Sequence, residues 1–144
     1  MALLIEKNIS GILGTLDVSI LYLRLQSHLK YSGVDLNVYS KTYLDKDSYL
    51  SYQEDVNVPV SGIPSNIHFD YSRELDGVDV LVVSHNKFME YLTTDQTAML
   101  PVIDPSTGLP ERDPSTEAII YSEQIVVNKF CEPSEISIID VSIF

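Results

Sequence analysis

The fold is decided by the stretch Leu21-Tyr22-Leu23-Arg24-Leu25-Gln26-Ser27-His28-Leu29-Lys30-Tyr31, followed by Ser32-Gly33 and then Val34-Asp35-Leu36-Asn37-Val38. Up to Tyr31 the odd positions carry Leu21, Leu23, Leu25, Ser27 and Leu29. The even positions carry Tyr22, Arg24, Gln26, His28 and Lys30. This period of two marks a strand with one face in a core, whereas a helix would scatter the leucines round its circumference. Beyond Ser32-Gly33 the apolar set moves to even numbers: Val34, Leu36, Val38, Thr42 and Leu44. A two-residue turn at Ser32-Gly33 pairs Tyr31 with Val34, Leu29 with Leu36, Ser27 with Val38, Leu23 with Thr42 and Leu21 with Leu44, all on the apolar face. The opposite face pairs Lys30 with Asp35, His28 with Asn37 and Tyr22 with Tyr43. Only Arg24 opposite Lys41 fits badly. A slip of one residue would set leucines against polar partners, so the register is fixed.

Outward from this hairpin, about 19–44, the chain reads as mainly β with one helix. We expect an antiparallel β-sandwich or barrel-like single domain over 1–144. Leu3-Leu4-Ile5 suits a strand. Asp45–Asp55 is polar and has room for one helical turn. Val56, Val58 and Val60 alternate with Asn57 and Pro59, which suits an edge strand because proline cannot donate to a ladder. Gly62-Ile63-Pro64-Ser65 reads as a turn, and Ile67, Phe69 and Tyr71 as a further strand. Leu81, His85, Phe88 and Leu92, with Val82 and Met89 alongside, recur at helical spacing and predict a helix over about 79–93. The alternative is a strand at Val78–Val83 before a shorter helix. Pro101, Pro105, Pro110 and Pro114 within 101–114 exclude helix and central strand, so 96–117 is expected to be an extended loop or arm. Ala118–Phe130 and Glu135–Phe144 read as strands. The sequence reads as having no internal repeat and no low-complexity tract.

A length of 144 residues can bury a real core. The net charge of −12, with 9 scattered basic residues, argues against direct nucleic acid or an acidic membrane as partner. The single cysteine, Cys131, allows no intrachain disulfide and reads as a small buried hydrophobe. The apolar run at the N-terminus stops at Ile5, too short for a signal-peptide core, and no stretch is long enough for a membrane helix.

Catalytic signatures are lacking, so no enzyme and no cofactor is expected. His28, His68 and His85 have no zinc-type spacing. His68 and Asp70 share a strand face, but no third metal ligand is evident. Asp45, Asp47, Glu54 and Asp55 form an acidic loop. It lacks the glycine that a calcium loop needs at its sixth position, where Leu50 stands. Nine tyrosines occur. Tyr22 and Tyr43 face outward in this register, and exposed tyrosines suit contact surfaces.

Four features together resemble small β-rich structural proteins of tailed bacteriophages, which form rings or sleeves at the neck, tail or baseplate. They are Leu21-Tyr22-Leu23-Arg24-Leu25, the Ser32-Gly33 hairpin, Lys46-Asp47-Ser48-Tyr49-Leu50, and the helix ending Phe88-Met89-Glu90-Tyr91-Leu92-Thr93. The likeness covers residues 19–95. It implies a non-enzymatic virion component, assembled in the host cytoplasm, that packs around an axis against copies of itself and other virion proteins, as in a head-tail connector or tail ring. On this reading the contact residues are Tyr22, Tyr43, the prolines Pro101, Pro105, Pro110 and Pro114, and the C-terminal Ile139, Val141, Ile143 and Phe144. The alternatives are a β-rich carbohydrate- or protein-binding module with a groove at Tyr22, Tyr43 and Tyr52, and a small metal-dependent enzyme using His68 and Asp70.

Overall fold

A computed structural model describes residues 1–9, 18–30, 33–51 and 60–140. The long hairpin forms as β2 (Val18–Leu29) and β3 (Asp35–Tyr43). Its register is the expected one: Leu29 faces Leu36, Ser27 faces Val38, His28 faces Asn37, Leu23 faces Thr42, and Tyr22 faces Tyr43. The expected pair of Leu21 with Leu44 does not form. The ladder stops at Tyr43, because Asp45 begins a helix by accepting the Ser48 N–H on Oδ1 at 2.7 Å. At the other end Lys30 N–H donates to Asp35 O (2.9 Å) and Gly33 N–H to Lys30 O (2.8 Å), with Gly33 at a φ of 72°. The expected pair of Tyr31 with Val34 and the turn at Ser32 lie outside the described residues.

Three further strands complete an antiparallel sheet. They are β1 (Ala2–Ile9), β4 (Asn66–Asp70) and β7 (Ile136–Ile139), in the spatial order β4-β3-β2-β1-β7. The sheet is open: among the described residues β4 and β7 each have one neighbour, and no barrel closes. The alternation explains which face is covered. Leu3, Ile5, Leu21, Leu23, Leu25, Leu36 and Val38 all project to one side and are buried. The layer over them is a helix. α3 (Val80–Thr93) contributes Val83, Phe88 and Leu92 to the same core. Asp79 caps it, Oδ1 accepting the N–H groups of Leu81 (3.1 Å) and Val82 (3.3 Å). The strand alternative at Val78–Val83 is thereby excluded. Leu81, placed on the apolar stripe by spacing, is instead exposed, and Ser84 takes the inward position. Its Oγ accepts from Ser27 Oγ at 2.6 Å and donates to Val80 O at 2.7 Å, which satisfies both hydroxyls.

The expectation of a single helix is corrected by two short ones, α1 (Lys46–Ser51) and α2 (Arg73–Asp76). α1 packs on the outer face of the sheet, where Tyr49, Tyr43 and Ala2 form a second small core. Arg24 lies over the Tyr49 ring, 3.9 Å from its centroid, and donates to Tyr49 O. This gives Arg24 opposite Lys41 a physical account. The cation that fitted badly across the ladder is held by an aromatic ring and a carbonyl. Val56 and Val58, read as an edge strand, lie outside the described residues; Val60 is buried and outside any strand. Gly62 closes the turn before β4 at a φ of 92°, and a Cβ there would lie 2.9 Å from the Phe130 ring. Burial pushes the Cys131 thiol up to about 11, in keeping with a buried hydrophobe.

The chain divides into two compact units, Met1–Thr94 with Lys129–Phe144, and Asp95–Asn128. The first holds every element above. Its two chain crossings are pinned together, because Phe130 N–H (2.8 Å) and Cys131 N–H (3.1 Å) both donate to Leu92 O at the end of α3. The second unit contains the segment expected as an extended arm of a single domain, and that segment folds back on itself.

Candidate functional site

The unit Asp95–Asn128 is built on β5 (Gln96–Pro101) and β6 (Tyr121–Val127), which pair antiparallel from Gln96 opposite Val127 to Pro101 opposite Tyr121. Between them lies a repeat that the sequence reading missed. Asp104-Pro105-Ser106-Thr107 returns nine residues later as Asp113-Pro114-Ser115-Thr116. The two segments make the same turn. Asp104 Oδ1 accepts from Ser106 N (2.9 Å) and Ser106 Oγ (2.7 Å), and Asp113 Oδ1 accepts from Ser115 N (2.8 Å) and Ser115 Oγ (2.6 Å). Gly108 N–H donates to Asp104 O, and Glu117 N–H to Asp113 O, both at 2.8 Å. Gly108 stands at a φ of 70° and its counterpart Glu117 at 60°. These serine bonds hold both aspartate carboxyls below the usual carboxylate range.

The repeat extends to the ladders. Ile103 bridges Pro110, Arg112 bridges Ile119, and Tyr121 faces Pro101. At the centre Val102 N–H donates to Ile120 O (2.9 Å), Ile120 N–H to Glu111 O (3.0 Å), and Glu111 N–H to Val102 O (2.7 Å). Residues 102, 111 and 120 are spaced by nine, so three short hairpins meet in a closed ring of three backbone hydrogen bonds. The result is a three-armed plate. Opposed and alternate residues share a face. One face therefore carries Met99, Pro101, Ile103, Pro110, Ile119, Tyr121 and Ile125, with Thr97, Arg112 and Glu123.

No residue of 95–128 is buried. Met99 is 63% exposed, Ile125 55%, Tyr121 53% and Ile103 51%. Backbone pairing and turn hydrogen bonds hold the plate together, and it has no core of its own. Its charged groups are one arginine and six carboxylates, of which Arg112 and Glu123 alone lie on the apolar face.

The contact residues expected from sequence fall in different places. Pro101 and Pro110 sit in the plate at ladder positions, and Pro105 and Pro114 follow the aspartates of the two turns. Tyr22 is half-buried, its ring 6.2 Å from that of Tyr49. Tyr43 is 1% exposed and cannot serve as an outer contact, because α1 lies over it with Tyr49 edge-on at 5.8 Å. Ile139 is half-buried against the Ala2, Tyr43 and Tyr49 cluster. The strand expected over Glu135–Phe144 forms only as β7, Ile136–Ile139, and Asp140 is already outside it. Val141, Ile143, Phe144 and Tyr52 lie outside the described residues.

His28, Asn37 and His68 line up across β2, β3 and β4 on the outer face, with Asp35 opposite Asp70 beside them. Among the described residues no group of three or more His, Cys, Asp or Glu converges to hold a metal. His85, by contrast, is fully buried. Its Nδ1 lies 2.7 Å from Leu81 O, and Nε2 has no partner among the described residues. The carbonyl can only accept, so Nδ1 carries the proton. Burial lowers the pKa of the ring, against the Leu81 carbonyl, which raises it. No described helix is long and apolar enough to cross a membrane. No family model, curated protein or solved structure matches the chain.

Proposed function

We propose that this protein is a structural component of a virus particle that acts through subunit–subunit contacts and carries no catalytic activity of its own. Within that reading it belongs at the neck, tail or a ring of a tailed bacteriophage, among copies of itself and other virion proteins, and is assembled in the host cytoplasm. The observation that supports the reading is the plate at 95–128. A two-stranded ribbon with no buried residue is marginal in water. One that also presents Met99, Ile103, Tyr121 and Ile125 gains its stability by covering them against another surface. The edges of β4 and β7, unpaired among the described residues, are further places for a neighbour to add. In this reading the sandwich or barrel-like closure expected from the sequence is completed between subunits.

The test has two parts. Light scattering and electron microscopy of the purified full chain should find particles larger than a monomer, with ring or sleeve outlines. Mass spectrometry of purified phage particles from the source of the gene should find the chain in many copies. Absence from the particles would remove the virion reading.

A further inference from the structure

We infer that two copies of this chain pair through the apolar face of the plate, about a two-fold axis that sets Arg112 of each copy over Glu123 of the other. The inference rests on the assembly reading above and names the surface and the occupant. Charge on the face singles out a second copy. The unit as a whole is strongly acidic, which would repel its own kind if the carboxylates lay in the contact. Asp104, Asp113 and Glu117 are in the turns at the ends of two arms, Glu111 belongs to the central ring and projects from the other face, and Asp95 precedes β5. The face keeps one cation and one anion, Arg112 opposite Ile119 and Glu123 opposite Met99. It is therefore neutral and complementary to itself.

The register also supplies the axis. Tyr121 and Glu123 alternate along β6, Ile119 precedes them in the same parity, and Arg112 bridges Ile119, so Tyr121 lies between the two charges. A two-fold axis in the plane of the contact, perpendicular to the line from Arg112 to Glu123 at its midpoint, exchanges the two. It makes two equal ion pairs and brings Tyr121 against its own copy, as an isologous interface requires. The seven apolar side chains can cover on the order of 500 Å² per copy, or roughly 1,000 Å² in all. That is the lower edge of specific interfaces, so the dimer is weak, with a dissociation constant on the order of micromolar. Many such contacts in one assembly add by avidity.

Sedimentation velocity of the full chain over a concentration series tests this. The wild type is expected to pass from monomer to dimer in the micromolar range. Arg112→Glu or Glu123→Arg turns two attractive pairs into two repulsive ones, and should weaken dimerisation at least about tenfold. The double variant restores the pairs and should return it to near the wild-type value. Both sites are exposed, but Arg112 donates to Glu117 O (2.9 Å) and Glu123 accepts from Thr97 Oγ1 (2.7 Å). Arg112→Ala and Glu123→Ala, which lose the same bonds without reversing charge, therefore serve as controls and should weaken dimerisation less than the reversals. Tyr121→Cys should give a disulfide-linked dimer on mild oxidation, since the native Cys131 is buried. Three results would overturn the inference. One is association unaffected by either single swap, which would mean edge pairing or another surface. Another is a double variant as weak as the singles. The third is a chain that stays monomeric at every concentration. If that monomer is still found in phage particles, the pairing is wrong and the virion reading stands; if it is absent from them, both fail.

Discussion

Excising residues 95–128 and joining Thr94 to Lys129 through a short Gly-Ser linker should leave a folded first unit that no longer self-associates. The magnitude follows from what the plate lacks. It contributes no buried side chain, so its removal takes no apolar transfer energy from the core formed by Leu3, Leu21, Leu23, Leu36, Phe88 and Leu92. The ends left behind are already side by side, because Phe130 and Cys131 both donate to Leu92 O and these bonds survive the cut. Shortening the connection from about thirty-four residues to about four is three halvings, worth up to about 2 kcal/mol of loop-closure entropy if the long connection were a flexible chain. It is worth less for a connection that already has structure. The excised protein should therefore unfold in urea between about 0 and 2 kcal/mol more stably than the parent, with far-UV circular dichroism as the signal. It should sediment as a monomer at concentrations where the full chain dimerises. A loss of more than about 1 kcal/mol, or a protein that does not fold, would refute the claim that the first unit is complete without the plate.

Phe88→Ala removes a fully buried ring from the centre of the inner core and should cost about 3–5 kcal/mol in chemical denaturation. Glu117→Gly relieves a left-handed backbone that its counterpart Gly108 adopts freely. It should stabilise the plate by about 1 kcal/mol, read as slower amide exchange over 112–120, whereas Gly108→Ala should do the reverse. Arg24→Ala removes the cation over the Tyr49 ring and the bond to its carbonyl, and should loosen α1 by about 1–2 kcal/mol, seen as faster exchange at Tyr49 and Leu50. His85 makes stability depend on pH. Burial lowers its folded pKa, so below the unfolded value of 6.5 the unfolded chain takes up a proton that the folded chain refuses, and stability falls as the pH falls. Urea midpoints should therefore drop between about pH 7.5 and about pH 5.5, and His85→Leu should flatten that slope.

The hairpin was legible because its two strands change parity at the turn, and only one register puts Leu29 against Leu36 and Ser27 against Val38. The long helix was legible from Phe88 and Leu92. Its inner face could not be assigned residue by residue, since Ser84 is inside only because Ser27 meets it from the sheet. Tyr43 shows the limit of reading a strand by itself. Parity puts it on the outer face, and it does point there, but whether that face is wet depends on α1. What sets α1 over it is the Asp45 cap and the Arg24 contact with Tyr49. A period of two says which side a residue takes and is silent on what covers that side.

The plate was misread for a different reason. Four prolines exclude helix and central strand, and that holds, but it leaves room for the short ladders and bridges in which Pro101 and Pro110 stand. In the threefold arrangement the donors are Val102, Glu111 and Ile120, and the residues just before them are Pro101, Pro110 and Ile119. Those positions supply no N–H to the central ring, so proline loses nothing there. Pro105 and Pro114 follow the turn aspartates, where a fixed φ suits the second position of a turn. The prolines thus obey the nine-residue period instead of opposing structure, and a search for spacing among them would have found it. The same period separates what is structural from what is free to vary. The aspartate, proline and serine of each turn recur because the turn needs them. Arg112 donates to the Glu117 carbonyl of its own turn at 2.9 Å and Glu123 accepts from Thr97 Oγ1 at 2.7 Å, whereas Met99, Tyr121 and Ile125 are required by none of the turn or ring hydrogen bonds. On the proposed reading, these apolar side chains are kept for contact with another surface.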